Sequence, residues 1–172
     1  PQGRRNLALL ALMYDTGARV QEIINLTPEA VNITSTPYNV RLFGKGKKYR
    51  VVPLMEAQIL LLKQYMEENH LMETCHLKHP LFFNSRKEKL TRAGVAYILN
   101  TYVKMARTIN PKIIPDSISC HSLRHSKAIH LLQAGATLVY IRDILGHVSV
   151  QTTEVYAKAD SQQKREALEK NY

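Results

Sequence analysis

With 172 residues, 45% of them hydrophobic and 22% charged, the chain is long enough to bury one core and short for two. Lys and Arg outnumber Asp and Glu 24 to 14, for a net charge of +10 and a pI near 9.7; this favours a polyanionic partner, because neutralising phosphates releases condensed counterions. The longest apolar run, Leu7 to Tyr14, falls well short of the roughly 18 residues that argue for a membrane span, so no membrane partner is expected.

The cysteines Cys75 and Cys120 form no paired framework, which fits a reduced compartment, the cytoplasm or, in a bacterium, its nucleoid. Because a helical pattern starts almost at Pro1, the stretch is expected to be a piece of a longer chain cut at a domain boundary. Arg4 to Tyr14 places Leu7, Leu10, Ala11 and Tyr14 at helical spacing, and Asp15-Thr16-Gly17 then breaks the pattern. A second helix is expected from Ala18, with Val20, Ile23, Ile24 and the closing Leu26 apolar. Arg19 and Glu22 fall three apart on one face of it, a spacing that equally describes an ordinary surface ion pair. Thr27-Pro28-Glu29 reads as an N-cap followed by Pro at the first helical position, opening a short helical turn through Val31.

Val40 to Phe43 and Tyr49 to Val52 are β-prone runs flanking Gly44-Lys45-Gly46-Lys47-Lys48, a hairpin signal. The turn is no P-loop, since Lys45 is followed by Gly46; as a bare charge run it is a solvated basic turn. Glu56 to Asn69 is helical, with Ile59, Leu60, Leu62 and Met66 apolar. Cys75, His76 and His79 amount to half of a zinc site without a second ligand pair, so no metal is expected. Leu81-Phe82-Phe83 forms a buried strand or extended link, and Leu90-Thr91 introduces a long helix with Val95, Ile98, Leu99, Tyr102 and Met105 apolar.

The most informative stretch runs from Ser119 to Tyr156. His121 and Arg124 are spaced to face one ligand from the first turn of a helix reaching about Gln133, and Gly135 stops that helix. Thr137 caps the next, Leu138 to Leu145, whose core positions are Val139, Ile141, Ile144 and Leu145; Gly146 ends it. His147 sits in the junction, Ser149 caps the helix carrying Tyr156, and Ala157 to Tyr172 continues as a polar helical tail. An Arg beside histidines invites an anion, and Tyr is a possible nucleophile once it loses its proton. Singly, His121, His125 and His130 read as ordinary helix histidines and Tyr156 as a packed aromatic. A zinc-protease motif is excluded, because Ser122 stands where that motif needs Glu. Two helices around a Gly turn also fit a helix-turn-helix DNA binder, although Val139 to Leu145 is apolar for a recognition helix.

Thr16-Gly17-Ala18-Arg19-Val20-Gln21-Glu22, the Gly44-Lys45-Gly46 turn, His121-Ser122-Leu123-Arg124-His125, Leu145-Gly146-His147 and Tyr156 together resemble the catalytic domain of tyrosine recombinases, the phage-integrase and Xer-type family. The resemblance covers nearly the whole chain, and no catalytic position departs from the pattern. It implies a mainly α fold with a small antiparallel β-sheet at the Lys45 hairpin. It further implies Arg19 and Arg124 as the two catalytic arginines, Lys45 as the hairpin lysine, His121 and His147 as the histidine positions, Tyr156 as nucleophile and Glu22 as support. Lys47, in reserve for Lys45, Lys48 and Arg50 are expected to contact DNA. The implied reaction is site-specific recombination through a 3′-phosphotyrosyl link, with neither metal nor ATP. Double-stranded DNA is the expected partner, along with further copies of the chain in dimers or tetramers, docked through a tail at 158–172. A type IB topoisomerase is the enzymatic alternative.

Overall fold

The computed structural model describes residues 2–44 and 46–169. Helix α1 (Gln2–Thr16) buries Ala8, Leu9, Leu12, Met13 and Thr16. That face is rotated from the expected stripe, and Leu7 is 54% exposed. In an uninterrupted apolar run the helical period does not single out a face, so the choice falls to packing. The Thr16 hydroxyl donates to the Leu12 carbonyl at 2.6 Å, and Gly17 then turns the chain with φ +58. A β-carbon on Gly17 would fall 2.6 Å from Leu145 Cδ2, so glycine is required both for the turn and for the approach of a distant helix. Helix α2 (Val20–Ile24) follows.

The 3-10 turn Pro28–Ala30 does not continue as helix through Val31; it delivers the chain into a strand, β1 (Val31–Asn32). β1, β2 (Asn39–Phe43) and β3 (Tyr49–Pro53) form an antiparallel sheet in that order, with Val31 opposite Val40, Val40 opposite Val52, Leu42 opposite Arg50 and Phe43 opposite Tyr49. Strand alternation sends Val40, Leu42 and Val52 inward and Phe43, Tyr49 and Val51 outward. Arg50, facing Leu42 and two residues from Val52, therefore belongs to the inner face.

Helix α3 (Glu56–Glu68) buries Leu62, Tyr65 and Met66 and leaves Leu60 exposed. Leu81, Phe82 and Phe83 form a buried link. Thr91 caps α4 (Arg92–Ile109) by accepting the Gly94 N–H at 3.0 Å. Val95, Ile98, Leu99 and Val103 are buried, whereas Met105, expected in the core, is exposed. After α5 (Cys120–Gln133), Thr137 caps α6 (Leu138–Leu145) and Gly146 closes it in the left-handed conformation. Ile141, Ile144 and Leu145 are buried as expected; Val139 is exposed. Helix α7 (Gln151–Glu169) starts later than a Ser149 cap would give, because the Thr153 and Glu154 N–H groups donate to the Val150 carbonyl.

Two apolar clusters result. The larger joins α1 to α4 and the sheet; the smaller joins Ala128 of α5, Ile141 and Leu145 of α6 and Tyr156 of α7. Among the described residues no helix is long and apolar enough to cross a membrane.

Candidate active site

The polar residues gathered where the two clusters meet are set by local signals. Ser119 Oγ accepts the Ser122 N–H and Ser122 Oγ accepts the Ser119 N–H, each at 3.1 Å, a reciprocal cap that places Cys120, His121 and Arg124 in the first turns of α5. Arg124 is buried and donates to the Gly17 carbonyl at 2.6 Å and the Leu145 carbonyl at 2.7 Å. It thereby fastens α5 to the turn after α1 and to the C-terminal end of α6, where unpaired carbonyls concentrate negative charge. Burial, with Arg19 and Arg50 nearby, pushes its pKa down to about 10; the guanidinium stays charged at neutral pH.

Arg19 stands at the N-terminus of α2. The Glu22 carboxylate accepts its backbone N–H at 2.7 Å and its guanidinium at 3.3 Å. The same carboxylate is gripped bidentately by Arg50, at 2.6 and 2.8 Å. Burial pushes the Glu22 pKa up, but the Arg50 hydrogen bonds and charge, together with Arg19, outweigh it and hold the carboxyl below its ordinary range. Arg50 is expected from the sequence among the DNA contacts; the structure places its side chain largely inside the protein. Its side chain is 11% exposed, and besides Glu22 it donates through Nε to the Ile144 carbonyl at 2.8 Å. The sheet register turns it inward, away from the lysines beside it in sequence. Two guanidinium groups thus hold one carboxylate, with that of Arg124 near enough to feel its charge, leaving positive charge in excess. Arg19, whose side chain is 39% exposed, presents it to a cleft of 340 Å³ that Arg92, Cys120, His121 and Arg124 also line.

Tyr156 is only 5% exposed. Its ring lies between two imidazoles, 5.3 Å from that of His125 and 6.1 Å, nearly parallel, from that of His147. Burial raises its pKa, while Arg124 and Arg19 pull it back. His121 does not meet the tyrosine ring; it stands perpendicular to His125 at 4.2 Å, one ring further out. His125 is the nearer imidazole, although in the sequence it reads as an ordinary helix histidine. Its position directly after Arg124, one turn from His121, is the local signal that places it near the same cleft. Thr153, one turn before Tyr156, is fully buried and pairs with His147 Nδ1 at 2.9 Å, fixing that ring.

Burial and the cations Arg124, Arg19 and Arg50 push the His147 pKa down to about 4. With the folded-state value below an unfolded value near 6.5, the unfolded chain takes up the proton first. The contribution of neutral His147 to stability is complete above about pH 6.5 and is lost as pH falls toward 4. Thermal melts across that window should show stability falling with pH, and less steeply in His147→Asn; equal slopes would refute this account.

Lys45 lies outside the described residues. Lys47, with φ +58, and Lys48 are exposed on the turn, which is closed by the Gly44 N–H donating to the Lys48 carbonyl at 2.9 Å. In the segment between α3 and α4, Glu73, Cys75 and His76 hold ligand-type atoms within 4.8 Å of one another, while His79 Nδ1 lies by the Pro80 carbonyl.

The profile of the phage integrase family matches residues 1–163. Tyrosine recombinase XerC of Syntrophus aciditrophicus is 37% identical over 161 residues, covering 90% of this chain and 49% of that protein. Tyrosine recombinase XerD of Staphylococcus epidermidis is 39% identical over 166 residues, covering 95% and 53%. Among solved structures, XerH site-specific recombinase bound to palindromic difH substrate, a post-cleavage complex, superposes with a TM-score of 0.78 at 29% identity, covering 96% of this chain and 45% of that one. The chain spans about half the length of the relatives it matches.

Proposed function

The chain belongs to the phage integrase family, and on that footing we propose that it cuts and rejoins DNA as the catalytic domain of a site-specific tyrosine recombinase. The observation that carries this is the excess of positive charge at half-exposed Arg19 and buried Arg124, set beside a tyrosine whose ring lies near two histidines. Two guanidinium forks suit the non-bridging oxygens of a phosphodiester, whose negative charge grows as a nucleophile attacks. The Tyr156 oxygen attacks phosphorus while its proton leaves by way of the His125 and His121 pair. The bond to the 5′ oxygen breaks, and that oxygen takes a proton from Lys45, or from Lys47 in reserve. His147, kept neutral, hydrogen-bonds the phosphate through the nitrogen that Thr153 does not engage. The product is a 3′-phosphotyrosyl link and a free 5′ hydroxyl; attack on that link by a 5′ hydroxyl from a partner duplex completes the exchange. The phosphodiester energy is retained in the link, so the scheme calls for neither ATP nor metal.

DNA is the partner this chemistry demands, with Lys47 and Lys48 on the exposed turn as backbone contacts. The described side chains of α7 beyond Asp160 are exposed, and we assign this part of the tail to docking on a second copy of the chain; residues 170–172 lie outside the described residues. A plain helix-turn-helix binder is disfavoured, because α6 buries Ile141, Ile144 and Leu145 and surrenders its last carbonyls to Arg50 and Arg124.

The test is a trapping assay with the full-length protein on nicked duplexes tiled across the DNA that flanks its gene, at low salt because binding should be strongly salt-sensitive. An SDS-resistant adduct mapped to Tyr156, with a 5′ hydroxyl left on the DNA, is the expected result. Bound duplex without adduct would sink the reading, and relaxation of supercoils without exchange between duplexes would point to a topoisomerase.

A further inference from the structure

We propose that Arg50 is a positioning residue for strand cleavage, coupling the arginine clamp to the histidine beside Tyr156; the inference rests on the recombinase reading above. Three elements distant in sequence converge on this one guanidinium. On one side it grips both oxygens of Glu22, at 2.6 and 2.8 Å, and Glu22 in turn holds the backbone and side chain of Arg19. On the other it donates to the Ile144 carbonyl at 2.8 Å, while Arg124 takes the adjacent carbonyl, Leu145. Two arginines therefore hold successive carbonyls at the end of α6, immediately before Gly146 and His147. Gly146 lies so close to Arg50 that an added β-carbon would meet its Cδ at 3.0 Å and Nη1 at 3.1 Å, so the guanidinium underlies the turn that aims His147. A shift of Arg50 moves Arg19 and His147 together, and displacements of about 1 Å in such constellations cost on the order of 100-fold in rate.

A lysine cannot replace it, because a single ammonium does not span a carboxylate and a carbonyl on opposite sides in fork geometry. A mainly structural role is favoured by the same geometry, since Nε, Nη1 and Nη2 each donate to a partner within the protein and the side chain is 11% exposed.

The experiment uses the full-length protein and the nicked duplex on which the unsubstituted protein forms its adduct. In Arg50→Met and Arg50→Lys, the single-turnover cleavage rate should fall about 100-fold, with DNA affinity and its salt dependence unchanged. Loss of a phosphate contact would instead reduce the slope of log affinity against log salt by about one. A second duplex carries a neutral methylphosphonate at the cleaved position, which removes charge that Arg19 and Arg124 must stabilise. A misplaced clamp matters less there, so the deficit of both variants should shrink at least tenfold; a merely destabilised protein would lose the same factor on both duplexes. If the methionine variant fails to fold, the lysine variant, which keeps the charge, carries the comparison. Parental cleavage rates, a lowered salt slope, or equal losses on the two duplexes would each overturn the inference. Absence of any adduct with the unsubstituted protein would overturn the recombinase reading and this inference with it.

Discussion

Tyr156→Phe is expected to abolish the covalent DNA adduct completely while leaving the fold and DNA affinity as they were. The ring sits in the small cluster with Ala128, Ile141 and Leu145 and between the His125 and His147 imidazoles. Phenylalanine reproduces that packing and removes only the oxygen, and volume-conserving swaps of this kind cost less than about 1.5 kcal/mol. In the proposed scheme the imidazoles beside it serve proton transfer and the phosphate, so neither is expected to take over as nucleophile. SDS-resistant adduct is scored on the reactive duplex alongside a melting curve and a binding isotherm. Residual adduct in the variant would show that another side chain attacks phosphorus, and a collapse of the melting curve would show that the hydroxyl is structural.

Arg124→Ala should be the most damaging of the arginine substitutions, lowering both cleavage and stability. The Gly17 and Leu145 carbonyls would each lose a donor in a buried setting, at about 1–3 kcal/mol apiece. Cleavage should fall by about 10³, in line with removal of a preorganised donor to a developing oxyanion. Arg124→Lys keeps a positive charge near the phosphate but cannot reach both carbonyls, so it should keep more stability than Ala and still lose about 10² in rate. Chemical denaturation and single-turnover cleavage on one preparation separate these effects. Cleavage by Arg124→Ala within tenfold of the parent would remove Arg124 from the clamp.

Features whose cause is local in the chain are legible in the sequence alone. Thr91 and Thr137 cap helices where expected, and Gly17 and Gly146 turn the chain with positive φ. The hairpin forms around its Gly-Lys turn, whereas the short strand β1 gives no sequence signal, because two residues carry no period to detect. Arg50 shows how register, not charge, decides where a side chain points. Alternation along Tyr49-Arg50-Val51-Val52 already places Arg50 on the side of buried Val52, but only a partner to neutralise it makes that acceptable, and Glu22 lies 28 residues away.

By itself the sequence determined the helices and their stops, the basic hairpin, and the residue types able to hold an anion beside a tyrosine, because caps, turns and periodicity act over a few neighbouring residues. Tertiary structure alone decided which face of the apolar run in α1 goes inward, that the His125 ring rather than that of His121 lies beside Tyr156, and that Arg50 pairs with Glu22 and the end of α6. Each of those outcomes depends on side chains brought together from distant parts of the chain, where packing and charge pairing override local preference.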